Sequence, residues 1–386
     1  MVFENEKKVL YTRVLRPIYG MLQAALIWYK TFRRDLEGED FVFNPYDPCV
    51  ANRVREGKQH TIRFHVDDVN SSHINPKVND EFKDFLQKKY GEHGDAVVHR
   101  GTKHDYLGMK MDYNKKGKVV VDMQYYIQEM LDDFKDEVKE GQIAKTPAGD
   151  NLFNFGEGKK LDKSMAEKFH TTVAKGLFVA KRARPDIHPT IAVLCTRVRE
   201  PNISDWNKLI RLMKYLNGTK EKVLTLSVDN LQSVKWFVDA SYAVHPDYKS
   251  HSGAVMTMGS GAIQSISRKQ KLNTRSSTEA ELVAADDAAT MICWTKLFLE
   301  EQGYKVGENI LYQDNKSAIL LEENGRKSAG KCSRALNVRY FFLTDQVELG
   351  NVNIVYCPTG EMVADFMTKP LQGEKFIEFR EAVLGT

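Results

Sequence analysis

The chain has 386 residues, a formal net charge of +4 and five cysteines, a length that predicts two or three domains rather than one core. No apolar run reaches the roughly 18 residues a membrane helix needs, and Met1-Val2-Phe3-Glu4-Asn5-Glu6-Lys7-Lys8 lacks the charged-then-apolar pattern of a signal peptide. Cys49, Cys195, Cys293, Cys332 and Cys357 are odd in number, widely spaced and form no CxxC pair, which excludes a disulfide or zinc framework and points to free thiols in a reducing, intracellular compartment.

Near the start, Arg16-Pro17-Ile18-Tyr19-Gly20-Met21-Leu22-Gln23 leads into a helical pattern through Trp28 and Tyr29, whose aromatic rings read as core. Ile62, Phe64 and Val66 then alternate with Thr61, Arg63 and His65, a half-buried strand. Asp67 and Asp68 follow at a turn. Adjacent carboxylates repel, so such a pair belongs in solvent or on a cation. Asp105 to Asp112, a turn at Gly117, and Lys118 to Asp122 read as a hairpin. Residues 139–165, interrupted by Pro147, Gly149, Gly156 and Gly158, read as a loop-rich linker.

From Phe169 the apolar periodicity returns through Val173, Leu177, Ile191, Leu194, Trp206, Ile210, Met213 and Leu216. It predicts three amphipathic helices broken at Pro185, Pro189, Pro201 and Gly218. Residues 169–220 carry ten basic and three acidic residues. Phosphate binding is largely a counterion-release effect, so Arg182, Arg184 and Arg197 are candidate nucleic-acid contacts.

The last part of the chain is the most informative. Asp239 ends the apolar run Val234-Lys235-Trp236-Phe237-Val238. Glu279 and Glu281 open a helical pattern (Leu282, Ala285, Ala288, Ala289, Ile292) just after Ser276, Ser277 and Thr278. Of the two, Glu281 lies on the helix face beside the sheet and is preferred as a ligand. Asp314 ends Asn309-Ile310-Leu311-Tyr312-Gln313, a second strand, at a probable helix start. Asp365 follows a third strand (Val352 to Tyr356) and a Pro358/Gly360 turn. Strand end, helix, strand end, helix start can bring four acids to one edge of a sheet. Such a set suits Mg²⁺ or Mn²⁺, which want hard oxygen ligands. Two such ions can activate a water and stabilise the departing oxygen of a phosphodiester.

The strings Val238-Asp239-Ala240-Ser241-Tyr242-Ala243, Ser276-Ser277-Thr278-Glu279-Ala280-Glu281-Leu282, Gln313-Asp314-Asn315-Lys316-Ser317-Ala318, Val338-Arg339-Tyr340-Phe341-Phe342 and Ala364-Asp365-Phe366-Met367-Thr368-Lys369 resemble the ribonuclease H domain that closes the Pol polyprotein of Ty1/copia-type retrotransposons. Upstream, roughly 10–225 is similar to the reverse transcriptase of the same family. The resemblance implies metal-ligand and catalytic roles for Asp239, Glu281, Asp314 and Asp365, and for Asp67 and Asp68 on the palm hairpin. It implies a nucleotide-flanking role for Gln23. Tyr106, in Asp105-Tyr106-Leu107-Gly108-Met109-Lys110, would grip the primer end, and Ala183-Arg184-Pro185-Asp186-Ile187 matches the thumb and connection.

Three departures accompany it. His65 stands where the family has Tyr, and Arg334-Ala335-Leu336 stands where it commonly has Lys-His-Ile. No Asp-x-x-x-Ala-Phe-like string lies between Met1 and Arg16, so the polymerase part is expected to lack fingers and the first palm Asp.

The expected architecture is α/β: a truncated palm with a primer-grip-like hairpin over 1–145, a linker and helical thumb or connection over 146–230, and a ribonuclease H-like mixed sheet with flanking helices over 231–386. The expected function is metal-dependent cleavage of RNA in RNA–DNA hybrids. A non-catalytic nucleic-acid-binding remnant and an RNA-directed DNA polymerase shortened at its start are the alternatives. The expected partners are nucleic acid and the remainder of a Pol polyprotein, with no membrane; the expected setting is a cytoplasmic particle or the nucleus.

Overall fold

The computed structural model describes residues 2–4, 7–13, 18, 20–66, 68–156, 158–325 and 342–386. The chain divides into two compact units, Met1–Val98 and His99–Thr386.

In the first unit, β1 (Val2–Glu4) and β2 (Lys7–Val9) form a short antiparallel ladder. Helix α1 (Leu22–Glu37) and helix α2 (Pro76–Tyr90) accompany an antiparallel sheet of β3 (Val42–Asn44), β4 (Asp47–Arg55), β5 (Lys58–His65) and β6 (Asp68–Ser72). Phe32 and Leu36, one turn apart on α1, pack with Ile62 and Phe64 from alternate positions of β5 and with Phe82 of α2. Trp28 and Tyr29 lie against this core, with Trp28 stacked on Phe32 at 5.3 Å. Their burial follows from helical spacing.

In the second unit, β7 (Lys103–Tyr106), β8 (Met109–Asp112), β9 (Lys118–Asp122) and β10 (Leu224–Ser227) make an antiparallel sheet. The stretch expected to run straight from Asp105 to Asp112 is itself a hairpin. Leu107 and Gly108, with φ of 51° and 76°, supply the left-handed pair that a two-residue turn matched to strand twist requires. Helix α3 (Gln124–Asp132) follows. Helix α4 (Lys163–Ala180) begins inside the stretch read as linker, because the Asp162 side chain accepts from Met165 N and caps it. Next come α5 (His188–Cys195) and α6 (Ile203–Thr219). The α6 start carries a capping box between Asn202 and Asp205.

The remaining elements are β11 (Ser233–Ser241), β12 (His251–Thr257), β13 (Gln264–Lys269), α7 (Ser277–Glu301), β14 (Glu308–Gln313), α8 (Lys316–Asn324), α9 (Phe342–Glu348), β15 (Asn353–Tyr356), α10 (Asp365–Thr368) and α11 (Gly373–Leu384). The five strands form one mixed sheet in the order β13-β12-β11-β14-β15. The pairs on the β13 side are antiparallel; β11–β14 and β14–β15 are parallel. Helices cover both faces. Ala254 and Met256 of β12 join the cluster containing Ala284, Ala288 and Ile292 of α7. Val255, pointing the other way, joins Ile191 of α5 and Phe366 and Met367 beside the sheet.

The compact units break between Val98 and His99. β10 pairs in register with β9, Leu224 opposite Val121. One core also joins Val121, Leu131, Trp206, Leu216, Phe376 and Val383. Among the described residues no helix is long and apolar enough to cross a membrane.

Candidate metal centre and nucleic-acid-facing residues

The parallel register of β11 and β14 places Phe237 beside Tyr312. Two residues further on, Asp239 is still within β11, paired with Gly253 of β12, while Asp314 directly follows the end of β14. Asn315 caps α8 by accepting from Ser317 N and Ala318 N, which fixes the turn carrying Asp314. Ser276 caps α7 by accepting from Glu279 N, and Glu279 itself accepts from Arg275 N at 2.7 Å. The capping residues thus hold Glu279 at the helix mouth, while Glu281 turns inward. Asp239, Glu281 and Asp314 each offer an oxygen, all within 4.8 Å of one another.

Asp239 and Glu281 are 2% and 5% exposed. Burial, then the neighbouring carboxylates, pushes Glu281 up to about 10. Burial raises Asp239 to about 7 against the opposing pull of Lys369. Like charges held close in a dry site disfavour ionisation, and an added cation reverses that preference. Among the described residues, Glu281 Oε2 is buried and has no hydrogen-bond partner. Three carboxylates, one with an orphaned oxygen, form a hard-oxygen donor set that fits Mg²⁺ or Mn²⁺.

Asp365 opens α10, beside this trio rather than within it. Its carboxylate accepts from Lys369 Nζ at 2.7 Å, and the same ammonium lies 3.6 Å from Asp239 Oδ1. The Thr368 hydroxyl donates to Asp239, and the Thr359 hydroxyl to Asp314 at 2.9 Å. Thr368 and Lys369 belong to the same string as Asp365, and the Asp-to-Lys spacing of one helical turn is the sequence signal for the pair.

Two features seat α10 against the sheet. Gly253 faces Asp239 across the ladder, and a Cβ there would come within 2.5 Å of Thr368 and 2.8 Å of Met367. A buried chain runs from His245 Nε2 to His251 Nδ1 at 3.1 Å, from His251 Nε2 to Ser267 Oγ at 2.8 Å, and from the Ser267 hydroxyl to Met367 O at 2.8 Å. Because Ser267 donates to the carbonyl, His251 donates from Nε2 and accepts at Nδ1. Burial drops the two imidazoles to about 4 and about 3, so both are neutral near pH 7.

Elsewhere the candidates scatter. Asp68 is exposed at the start of β6, paired in register with His65; Asp67 lies outside the described residues. Gln23 is exposed on α1, and Tyr106, half-buried, ends β7. The segment 326–341, with Arg334, Ala335, Leu336 and the Val338-to-Phe341 string, also lies outside the described residues.

Arg184 requires a correction. It is 0% exposed, bidentate to Asp186 at 2.8 and 2.7 Å and bonded to Thr219. It therefore ties the segment between α4 and α5 to α6, sealed away from any ligand. Arg197 pairs with buried Asp205 at 3.1 Å and lies over the Phe155 ring. Lys175 pairs with Asp133, and Lys208 is buried against Asn154 O. Much of the positive charge of 169–220 is taken up internally. Arg182, half-buried with its guanidinium 3.7 Å over Phe178, stays nearer the surface.

No family model matches the chain. It is 27% identical, over 98% of its length and 28% of the relative's, to "Retrovirus-related Pol polyprotein from transposon TNT 1-94" of Nicotiana tabacum. It is 26% identical, over 96% of its length and 25% of the relative's, to the corresponding polyprotein from transposon RE2 of Arabidopsis thaliana. It is 23% identical to the "Transposon Ty1-NL2 Gag-Pol polyprotein" of Saccharomyces cerevisiae over 96% of this chain and 22% of that one. The chain thus spans about a quarter of the length of the curated relatives it matches. Among solved structures, a foamy viral protease-reverse transcriptase in complex with RNA/DNA hybrid aligns with a TM-score of 0.45 at 12% identity, covering 80% of this chain and 41% of that chain. Along nearly all its length, the chain is homologous to the Pol polyproteins of Ty1/copia-type retrotransposons.

Proposed function

We propose that the chain is a segment of a retrotransposon Pol polyprotein whose 231–386 region is a ribonuclease H-type nuclease, cutting the RNA strand of an RNA–DNA hybrid. The observation that carries this reading is the meeting of Asp239, Glu281 and Asp314 within 4.8 Å, with one buried oxygen unpartnered among the described residues. Mg²⁺ or Mn²⁺ bound there would supply a water activated for attack and charge neutralisation at the phosphodiester. Asp239, Glu281 and Asp314 would hold the ion. Asp365, Thr368 and Lys369 would orient Asp239 and set the charge around it. Preference for RNA would rest on contacts to the 2′-hydroxyl.

The 1–145 region, with Asp67, Asp68, Gln23 and Tyr106, is assigned as palm and primer-grip elements, and 146–230 as thumb and connection. The remainder of Pol would be the protein partner, inside the cell. The test is cleavage of an end-labelled RNA strand in a hybrid, with single-stranded RNA and DNA duplex as controls. Wild type should cut the hybrid in Mg²⁺ or Mn²⁺, and Asp239→Asn should lose at least ~10²-fold, the scale of removing one electrostatic element from a preorganised site. Equal cutting by the variant refutes the assignment.

A further inference from the structure

Glu281 reaches the acidic trio from a helix rather than from the sheet, so its place depends on how α7 is seated. The face of α7 turned to the sheet is small: Ala280, Ala284 and Ala288, four residues apart, share one buried cluster with Ala254 and Met256 of β12. Alanines bring the helix close but leave its height and rotation to directional bonds. Gln270, 1% exposed and just beyond the end of β13, supplies them. Its Nε2 donates to Ala280 O at 2.9 Å and to Ser252 Oγ at 3.0 Å. Ser252 in turn donates to Asp287 Oδ2 at 2.8 Å, two turns further along α7. Arg268 of β13 also pairs with Asp287. The start of α7 is thus pinned to the β12–β13 ladder at two points. The amide can face only one way, because Ala280 O accepts and Ser252 spends its hydrogen on Asp287. Its Oε1 is left buried without a partner among the described residues, a cost that an apolar side chain would avoid.

We propose that Gln270 is a positioning residue for the metal centre: through Ala280 O it fixes the turn of α7 from which Glu281 meets Asp239 and Asp314. The proposal rests on the metal-centre reading above. Ala280 directly precedes Glu281, so a shift of this carbonyl carries the ligand with it. The sheet end of the clamp lies equally close, since Ser252 sits opposite Ala240 and Gly253 opposite Asp239 in the ladder. One amide therefore spans the two elements whose separation sets the gap between Glu281 and Asp239. Losing a residue that orients a metal ligand typically costs about 10–100-fold in metal affinity or activity.

The test uses Mn²⁺ alone as the probe, titrated into the full chain and followed by electron paramagnetic resonance of the free ion, beside thermal melting without metal. Gln270→Met fills similar space without the donor. It should weaken Mn²⁺ binding by about 10–100-fold, and at fixed Mg²⁺ it should lower kcat for hybrid cleavage while KM for the hybrid stays at the wild-type value. Asp186→Ala, which disrupts the separate cluster with Arg184 and Tyr215, should lower the melting temperature yet bind Mn²⁺ as wild type does. Should Gln270→Met fail to fold, Ser252→Ala, which releases one end of the clamp, carries the same expectation of weaker Mn²⁺ binding. Unchanged Mn²⁺ affinity in the folded variant, whatever its melting temperature, overturns the proposal, as does an equal loss of affinity in Asp186→Ala. No Mn²⁺ bound by wild type instead overturns the metal-centre reading on which it stands.

Discussion

Two buried charged clusters in the 99–386 unit are built to opposite rules. In one, Arg184, Asp186 and Tyr215 satisfy one another: the guanidinium grips both oxygens of Asp186, Tyr215 donates to Asp186 at 2.7 Å, and Thr219 takes the remaining fork. In the other, Asp239, Glu281 and Asp314 share a sign, and a Glu281 oxygen has no partner among the described residues. Opposite charges with full hydrogen bonding tie helices together. Burial, added to by like charges crowded together, raises the energy of the ionised acids in the metal-free fold, and the raised values of Asp239 and Glu281 register that cost. A closed cluster reads as structure, an open one as a place for something else.

The comparison can be broken most sharply through activity. Asp314→Asn should reduce metal-dependent hybrid cleavage by about 10²–10³-fold, with its circular dichroism unchanged; retained cleavage would place the chemistry elsewhere. The closed cluster should answer the opposite way. Asp186→Ala leaves the Arg184 guanidinium buried and uncompensated, so it should destabilise the unit by about 3–5 kcal/mol in denaturant unfolding. Cleavage per folded molecule should stay at the wild-type level. A cost under about 1 kcal/mol would mean the network is not holding the α4–α5 connection to α6.

The pH dependence separates the two clusters further. With Glu281 raised to about 10 from 4.5, the metal-free folded state binds more protons than the unfolded state between those values. Stability contributed by this group should therefore be present at low pH and fall as pH rises. Glu281→Gln should flatten that decline, read from melting temperatures between pH 5 and pH 9; an unchanged slope would mean the carboxyl is not desolvated. The smallest effect concerns the surface. Arg182→Gln should reduce the log–log salt slope of hybrid binding by about 1 if it meets a phosphate, whereas an unchanged slope leaves it a packing residue over Phe178.

The elements around the acids were legible because local chemistry fixes them. Apolar runs stop at Asp239 and Asp314, and Ser276 and Asn315 cap the helices that follow. The mixed sheet with flanking helices was expected from the family strings. Burial of individual charges was not legible. A count of basic residues over 169–220 cannot distinguish Arg184, sealed against Asp186, from Arg182 nearer the surface. The start of α4 was hidden because Asp162 sits among loop-forming residues, and only its hydrogen bond to Met165 N distinguishes a cap from a turn. The role of Lys369 was hidden as well, since its spacing reveals Asp365 but not Asp239, which is distant in sequence.

The most direct measurement is thermal melting of wild type and Asp239→Asn at pH 8, each with and without Mg²⁺. If the acidic centre is left open for a divalent ion, the metal-free variant melts above metal-free wild type, because one charge of the repelling set is gone. Mg²⁺ then raises the wild-type melting temperature and leaves the variant nearly unmoved. A variant that melts below wild type without metal, together with equal Mg²⁺ shifts in both proteins, would contradict the account.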